Sequence, residues 1–145
     1  MKIKVKNSGI VRLKTVIDKD GDGDIFIAEE TRHVPFKIKR VFFIGHPKRK
    51  NAVRGKHAHK KISQAMFCVN GSFKLNLDDG YVKQSIRLDN PSVGIILGSK
   101  LWHTMTDISK GCNILVLSDD FYSESECIRN YGEFLKYIKK YRDED

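Results

Sequence analysis

The chain has 145 residues, of which 40% are hydrophobic and 31% charged, and its formal net charge is +9 at pH 7. This length suits one domain with one core, predicted over residues 1–145, and the composition excludes a disordered chain. No apolar run is long enough to cross a bilayer, and the N-terminus lacks the continuous apolar segment of a signal peptide. The positive charge favours an anionic ligand, but lysines and arginines are scattered, so nucleic-acid binding is not predicted.

Short runs rich in valine, isoleucine and phenylalanine predict strands along most of the chain. Turn signals separate them, and Asn70-Gly71 predicts a hairpin. Regularly spaced short strands are typical of an all-β sandwich or barrel. From about Ser123 to Tyr141, apolar residues at helical spacing predict a helix capped by Ser123 or Ser125. The predicted strands cover residues 3–7, 10–17, 24–30, 36–44, 65–69, 73–79, 82–88, 93–98 and 113–118.

The three cysteines form no CxxC pair. Cys68 and Cys112 lie in apolar, strand-like runs and are predicted to be buried thiols. An odd and sparse cysteine count is typical of a reducing compartment, so we expect a cytoplasmic protein.

An acidic segment from Asp18 to Glu29 matches the spacing of an EF-hand calcium loop. An EF-hand needs a helix on each side, whereas both flanks here have strand-like patterns. The sequence therefore favours an acidic hairpin turn, with a non-catalytic calcium-binding module as an alternative.

Two histidines stand two residues apart, at His57 and His59, with Gln64 five residues further on. Residues two apart on a strand face the same side, so both imidazoles can enter one barrel. This spacing is that of the first cupin motif, and His103 falls where the second motif offers its histidine. Three imidazoles suit a transition metal, but glutamine is a poor ligand where metal-binding cupins usually carry glutamate, so no metal is predicted.

The segment from Arg40 to Gly80 resembles the sugar-nucleotide 3,4-ketoisomerases, which act on dTDP-4-dehydro-6-deoxyglucose. It matches their R-G-x-H-A-H-x-x-x-x-Q signature from Arg54 to Gln64. The resemblance continues in "LWHTM" and in "SDDFYSESECIRNYGEFL". It implies an all-β cupin jelly roll with a short C-terminal helix. It also implies a homodimer that exchanges N-terminal strands, and a reaction without metal or cofactor that supplies amino sugars for surface glycans.

The family reaction moves a keto group from C4 to C3, which requires removal of the C3 proton, an enediol intermediate and proton return at C4. Histidine is the side chain whose pKa suits this work. The resemblance implies His59 as the main base, His57 as the residue that orients or shuttles the oxygen proton, and Arg54 as the cation facing the enolate or a phosphate. The residues expected to contact sugar or nucleotide are Arg40, Gln64, Lys74 and His103.

Two other functions remain open from the residues. One is a metal-dependent cupin or a sugar-nucleotide epimerase. The other is a module that binds calcium or a nucleotide sugar without catalysis.

Overall fold

The computed structural model describes residues 1–141. A 3₁₀ turn at Glu124–Glu126 precedes the last strand and the helix. The strands are β1 (Ser8–Arg12), β2 (Lys14–Val16), β3 (Ile25–Ile27), β4 (Arg40–Ile44), β5 (Arg54–His59), β6 (Gln64–Asn70), β7 (Phe73–Asp78), β8 (Lys83–Leu88), β9 (Val93–Leu97), β10 (Trp102–Thr106), β11 (Asn113–Ser118) and β12 (Cys127–Ile128), and the helix is α1 (Tyr131–Tyr141).

Two antiparallel five-stranded sheets form the body of the protein. Their strand orders are β1-β9-β6-β11-β4 and β12-β5-β10-β7-β8, and β2 and β3 pair as a separate hairpin. The non-sequential neighbours give the crossed connections of a jelly roll. This arrangement confirms the predicted all-β fold with a short C-terminal helix.

Apolar side chains fill the space between the sheets and also form a cluster on part of each outer face. The largest cluster lies between the sheets and includes Phe73, Leu75 and Met105. A second cluster lies on the outer face of the first sheet, where residues near Val34 cover it. The third lies on the outer face of the second sheet, where Phe134 of α1 packs beside Trp102. The helix therefore leaves the interior between the sheets free for other side chains.

The predicted strand at residues 3–7 is wrong, although its apolar residues do face inward. Val5 is buried, but the backbone amides of Lys4 and Lys6 donate to the side chains of Gln84 and Asp79. These side-chain acceptors replace the ladder of hydrogen bonds that a strand needs.

The predicted helix over residues 123–141 is correct only from Tyr131 onward. The cap is Asn130, whose side-chain oxygen accepts from the backbone amide of Glu133 at 3.0 Å, and neither Ser123 nor Ser125 caps α1. Residues 124–128 instead form the 3₁₀ turn and β12, and Ile128 is buried as a strand residue.

The acidic segment forms the connection of the β2–β3 hairpin, as predicted. The carboxylate of Asp18 accepts backbone amides of Asp20 and Asp22 at 3.0 and 2.6 Å, and Asp24 accepts the amide of Asp18 at 2.9 Å. These carboxylates stabilise the turn, and strands flank it where an EF-hand needs helices.

The predicted hairpin turn and the two predicted buried thiols are confirmed. The β6–β7 hairpin turns at Asn70-Gly71, and Gly71 has a φ of +78°. Cys68 and Cys112 are buried free thiols with their sulfur atoms 3.9 Å apart. Among residues 1–141, no helix has the length and apolar content that spanning a membrane requires.

Candidate active site

Strand β5 carries the predicted catalytic residues, and a bulge in it decides which way they face. His57 pairs with His103 of β10, while Arg54 pairs with Met105, so the register shifts by one residue between them. Met105 lies in the cluster between the sheets. Paired residues share a face, so Arg54 faces inward together with His57, although the two are three residues apart.

Backbone conformations at the bulge explain why the sequence bends there. Gly55 and Lys56 have φ values of +85° and +56°. A Cβ atom on Gly55 would lie 2.8 Å from the carbonyl oxygen of His103. Glycine is therefore required both for the left-handed backbone and for the close approach of β10.

The imidazoles of His57, His59 and His103 lie close together on the inner face of the second sheet. The ring centre of His57 lies 4.9 Å from that of His59 and 4.6 Å from that of His103. His59 and His103 are 5% and 2% exposed, whereas His57 is half-buried. His57 thus lies between two buried rings and the solvent.

Hydrogen bonds fix the proton positions on two of the rings. His57 Nδ1 lies 3.0 Å from the carbonyl oxygen of Gly55, and His103 Nδ1 lies 3.5 Å from that of Leu101. A carbonyl only accepts, so Nδ1 carries the proton in each neutral ring and Nε2 keeps its lone pair. Within residues 1–141, neither ring nitrogen of His59 has a hydrogen-bond partner. Gln64 lies near this ring without a hydrogen bond of good geometry.

Burial keeps the three imidazoles neutral at pH 7. It lowers the pKa of His59 to about 4 together with the nearby His57, Arg40 and Arg129, against an opposing effect of Gln64. Burial also lowers the pKa of His57, and it lowers that of His103 well below the ordinary value. A neutral imidazole has a lone pair, so each ring is in the form that accepts a proton.

The first sheet contributes a row of polar side chains opposite the histidines. Ser118 of β11 lies between Arg40 of β4 and Gln64 of β6 in the strand register. An Arg40 terminal nitrogen donates to Ser118 Oγ at 3.1 Å, while its buried Nε has no partner in the part of the chain that the structure describes. Arg40 also lies over the rings of Phe42 and Tyr122. The guanidinium of Arg40 is therefore held in place by its neighbours, and its Nε–H remains without an acceptor within residues 1–141.

The segment after β11 returns to the site and adds residues that the sequence pattern did not reveal. Arg129 binds Glu124 through two contacts of 2.6 and 3.0 Å, and Tyr122 donates to the same carboxylate at 2.7 Å. The hydrogen bonds from Arg129 lower the pKa of Glu124 to about 2. The positive charge of Arg129 in turn lowers the pKa values of His57 and His59.

Cys127 is a further residue that the sequence interpretation missed. It pairs with His59 across the β12–β5 ladder. The ligand atoms of His57, His59 and Cys127 all lie within 4.8 Å of one another. Within residues 1–141, this is the group of histidine, cysteine and acidic residues that converges closely enough for a metal ion. The metal-binding alternative weighed from the sequence contained His103 where this group contains Cys127.

Lys74 is the predicted substrate contact that the structure places elsewhere. On β7, Phe73, Leu75 and Leu77 are buried between the sheets, and Lys74 is exposed on the other face. It pairs with Thr106 and Arg87, also away from the histidines. We therefore leave Lys74 out of the site.

Comparisons with known proteins identify close relatives. The family model described as "FdtA: WxcM-like, C-terminal" matches residues 6–139. A TDP-4-oxo-6-deoxy-alpha-D-glucose-3,4-oxoisomerase of Aneurinibacillus thermoaerophilus is 44% identical over 131 residues, which are 90% of this chain and 92% of that protein.

Two solved structures are similar over nearly their full length. QdtA, a sugar 3,4-ketoisomerase from Thermoanaerobacterium thermosaccharolyticum in complex with TDP, has a TM-score of 0.89 and 36% identity, covering 94% of this chain and 98% of QdtA. The TDP-quinovose 3,4-ketoisomerase WlaRB of Campylobacter jejuni has a TM-score of 0.84 and 38% identity, covering 91% of this chain and 99% of WlaRB.

Proposed function

Because this chain belongs to the FdtA family, WxcM-like, we propose that it is an isomerase that moves the keto group of a TDP-linked 4-keto-6-deoxy sugar from C4 to C3. The observation that carries the proposal is His59, a buried neutral imidazole with both ring nitrogens unpartnered. A buried polar group without a partner is costly, and such groups are kept where a ligand uses them.

A base placed within reach of both adjacent carbons can carry a proton from one to the other. In the proposed reaction, His59 removes the proton from C3, and the electron pair of the C–H bond forms the C3–C4 double bond. The π pair of the C4=O bond moves to the oxygen at C4, which takes up a proton to give an enediol. The proton then returns to C4, and the C3 hydroxyl becomes the ketone. Atoms and electrons balance without an external oxidant or reductant.

In this scheme, His57 transfers a proton between the oxygen atoms at C3 and C4. Its Nδ1–H is held by Gly55, so its Nε2 is free to accept the hydroxyl proton at C3 and to deliver it to the oxygen at C4. His57 and His59 thereby divide the work between oxygen and carbon. His103 lies behind His57 and lines the floor of the site.

The arginines supply positive charge where negative charge develops. Arg54 stands exposed at the start of β5 on the inward-facing side, where it reaches the diphosphate or the enolate oxygen. Arg40 offers its unused Nε to a sugar or phosphate oxygen, and Gln64 offers an amide on the other side of Ser118. Fixed cations in a partly dry site stabilise such charge more than water does.

Substrate binding also tunes the base. Arg40 and Arg129 both lower the pKa of His59. Burial is the main cause of the low pKa and remains when substrate binds, but a diphosphate that neutralises these cations removes their part and so raises the pKa of His59 above its value in the free protein. A base is most effective when its pKa lies near the working pH, so binding prepares His59 for proton transfer.

The same proposal includes a homodimer with exchanged N-terminal strands. β4 is an edge strand of the first sheet, and its outward-facing Val41 and Phe43 are 59% and 71% exposed. They continue the apolar layer formed by Leu115 and Leu117 on the same face. An exposed apolar edge is typical of a surface that pairs with another chain. Light scattering should then give twice the chain mass of 16.7 kDa, and Phe43→Asp should shift the protein toward the monomer.

Solvent exchange at C3 tests the reaction directly. Protein treated with chelator is incubated with TDP-4-keto-6-deoxyglucose in deuterated water, and proton NMR follows the C3 signal and the 3-keto product. His59→Asn should lower the rate by roughly 10²- to 10⁴-fold with the fold intact.

Lys74→Ala is the matched control, since this side chain is polar but lies on the outer face. This variant should exchange the C3 proton and form the 3-keto product at the same rates as the wild type. Wild-type protein that binds TDP but exchanges no C3 proton would contradict the proposal, and full activity in His59→Asn would remove His59 from the role of base.

A further inference from the structure

We propose that His57, His59 and Cys127 form a binding site for a thiophilic divalent ion, best matched by Zn²⁺, and that the bound ion keeps the sugar nucleotide out of the barrel. Binding of the ion is independent of the proposed isomerase activity. The competition between the ion and the substrate rests on the proposed isomerase function.

The donor set matches the ion. Zn²⁺ prefers imidazole nitrogen and thiolate sulfur, often in combination, whereas Ca²⁺ and Mg²⁺ prefer oxygen. Two imidazoles and one thiol provide three such donors, which leaves a fourth tetrahedral position for water. On binding, the thiol of Cys127 loses its proton to solvent and its sulfur lone pair forms the bond to the ion.

The distances are close to those that the ion requires. Tetrahedral Zn²⁺ with bonds of about 2.0–2.3 Å places its ligand atoms roughly 3.3–3.7 Å apart. The three ligand atoms here lie within 4.8 Å of one another. His57 and Cys127 are half-buried, and binding requires the three ligand atoms to move closer together.

The local structure already orients two of the ligands. His57 donates Nδ1–H to the carbonyl of Gly55, an arrangement that commonly holds metal-binding imidazoles and leaves Nε2 for the ion. His59 is 5% exposed, and both of its nitrogens are without partner within residues 1–141. The β12–β5 pairing then sets Cys127 beside His59. A metal ion gives a buried lone pair of His59 the partner that the protein does not supply.

The experiment uses the full chain after chelator treatment. Cobalt(II) replaces zinc as a spectroscopic probe, because a thiolate ligand produces a charge-transfer absorption in the near ultraviolet. Wild-type protein should show this band with saturation at one equivalent, and zinc should displace it. Cys127→Ala should lose the band and weaken zinc binding, measured by competition with a chromophoric chelator, by roughly 10- to 100-fold.

Matched variants separate this site from other donors. Cys68→Ala removes a buried cysteine outside the group, and His46→Asn removes an exposed histidine. Both should retain the band and the affinity. A wild-type titration without the thiolate band, or unchanged affinity in Cys127→Ala, would overturn the proposal.

Activity measurements then distinguish the two proposals. Zinc should inhibit isomerisation competitively, and Cys127→Ala should need at least roughly tenfold more zinc for the same inhibition. Isomerase activity that zinc does not affect would refute the competition while the proposed function stands. A cobalt band in protein without isomerase activity would leave the metal site standing and refute the proposed function.

Discussion

Replacing His59, the proposed catalytic base, by asparagine should also remove part of the protein's acid sensitivity. Burial lowers the pKa of this imidazole to about 4, from an ordinary value of 6.5. Between these values the unfolded chain binds a proton that the folded protein does not. The free energy of unfolding therefore falls as the pH is lowered from 6.5 toward 4.

The size of the effect follows from the gap between pKa and pH. A pH of 5 is 1.5 units below the pKa of 6.5 that the imidazole has in the unfolded chain, so the unfolded chain carries the proton. In the folded protein the pKa is about 4, and the imidazole is still neutral. At about 1.4 kcal/mol per unit, His59 contributes about 2 kcal/mol to the loss of stability between pH 7 and pH 5. His57 and His103 add to this loss with the same sign, because burial lowers their pKa values too.

Urea unfolding at pH 7 and pH 5 measures the difference. The wild type should lose about 2 kcal/mol more than His59→Asn between the two pH values. Any packing defect of the variant is present at both values and cancels. His46→Asn is the control, because this side chain is exposed and its positive φ of 58° suits asparagine. Equal losses in the wild type and His59→Asn would refute the assignment of His59 as a buried neutral base.

Three further predictions concern stability and substrate binding. Tyr131→Phe should lower the free energy of unfolding, measured by urea unfolding, by about 1–3 kcal/mol. The reason is that the carboxylate of Asp78, which is 7% exposed, loses the hydroxyl donor that lies 2.6 Å away. The turnover number should not change. Arg40→Ala should raise KM at least roughly tenfold in steady-state assays, because it removes a charge-assisted contact, whereas Lys74→Ala should leave KM unchanged. Gly55→Ala should lower the free energy of unfolding by about 2–4 kcal/mol and also lower turnover, because the new Cβ would lie against β10.

Each of these predictions has an outcome that contradicts it. Reduced turnover in Tyr131→Phe would mean that α1 affects the site across the sheet. A rise of KM in Lys74→Ala equal to that in Arg40→Ala would place substrate on the outer face. Gly21→Ala is the control for Gly55→Ala, because Gly21 has a φ of +82° but nothing within 4 Å of an added Cβ. Equal losses of stability in these two variants would show that the contact with β10 has no effect.

The strand pattern made the fold and the placement of two of the proposed catalytic residues predictable. Residues two apart on a strand share a face, so the inward direction of His57 and His59 follows from their spacing. The same rule was available for Lys74. Its neighbours Phe73 and Leu75 alternate with it, which places Lys74 on the opposite face, and the family resemblance outweighed that signal in our prediction.

The C-terminal segment could not be predicted from periodicity alone. Ile128, Tyr131, Leu135 and Ile138 stand at helical spacing, yet Ile128 belongs to β12 and Leu135 is 37% exposed. The structure forms β12 because Glu126 accepts the backbone amides of Lys61 and Ile62 at 2.9 and 3.1 Å, and so ties the segment to the β5–β6 turn. Such long-range contacts leave no local pattern, which is why Cys127 and Arg129 were missed.

The inward direction of Arg54 depends on the bulge, and this links the fold to the reaction. On a regular strand, Arg54 and His57 would face opposite sides, because they are three residues apart. The extra residue lets both face inward, and Gly55 makes it possible by tolerating both the positive φ and the carbonyl of His103. Its own carbonyl also holds the proton of His57. Gly55 thus determines the inward direction of Arg54, the tautomer of His57 and the close approach of β5 to His103 on β10. Gly55→Ala should therefore reduce stability and turnover together, whereas Gly21→Ala should reduce stability alone.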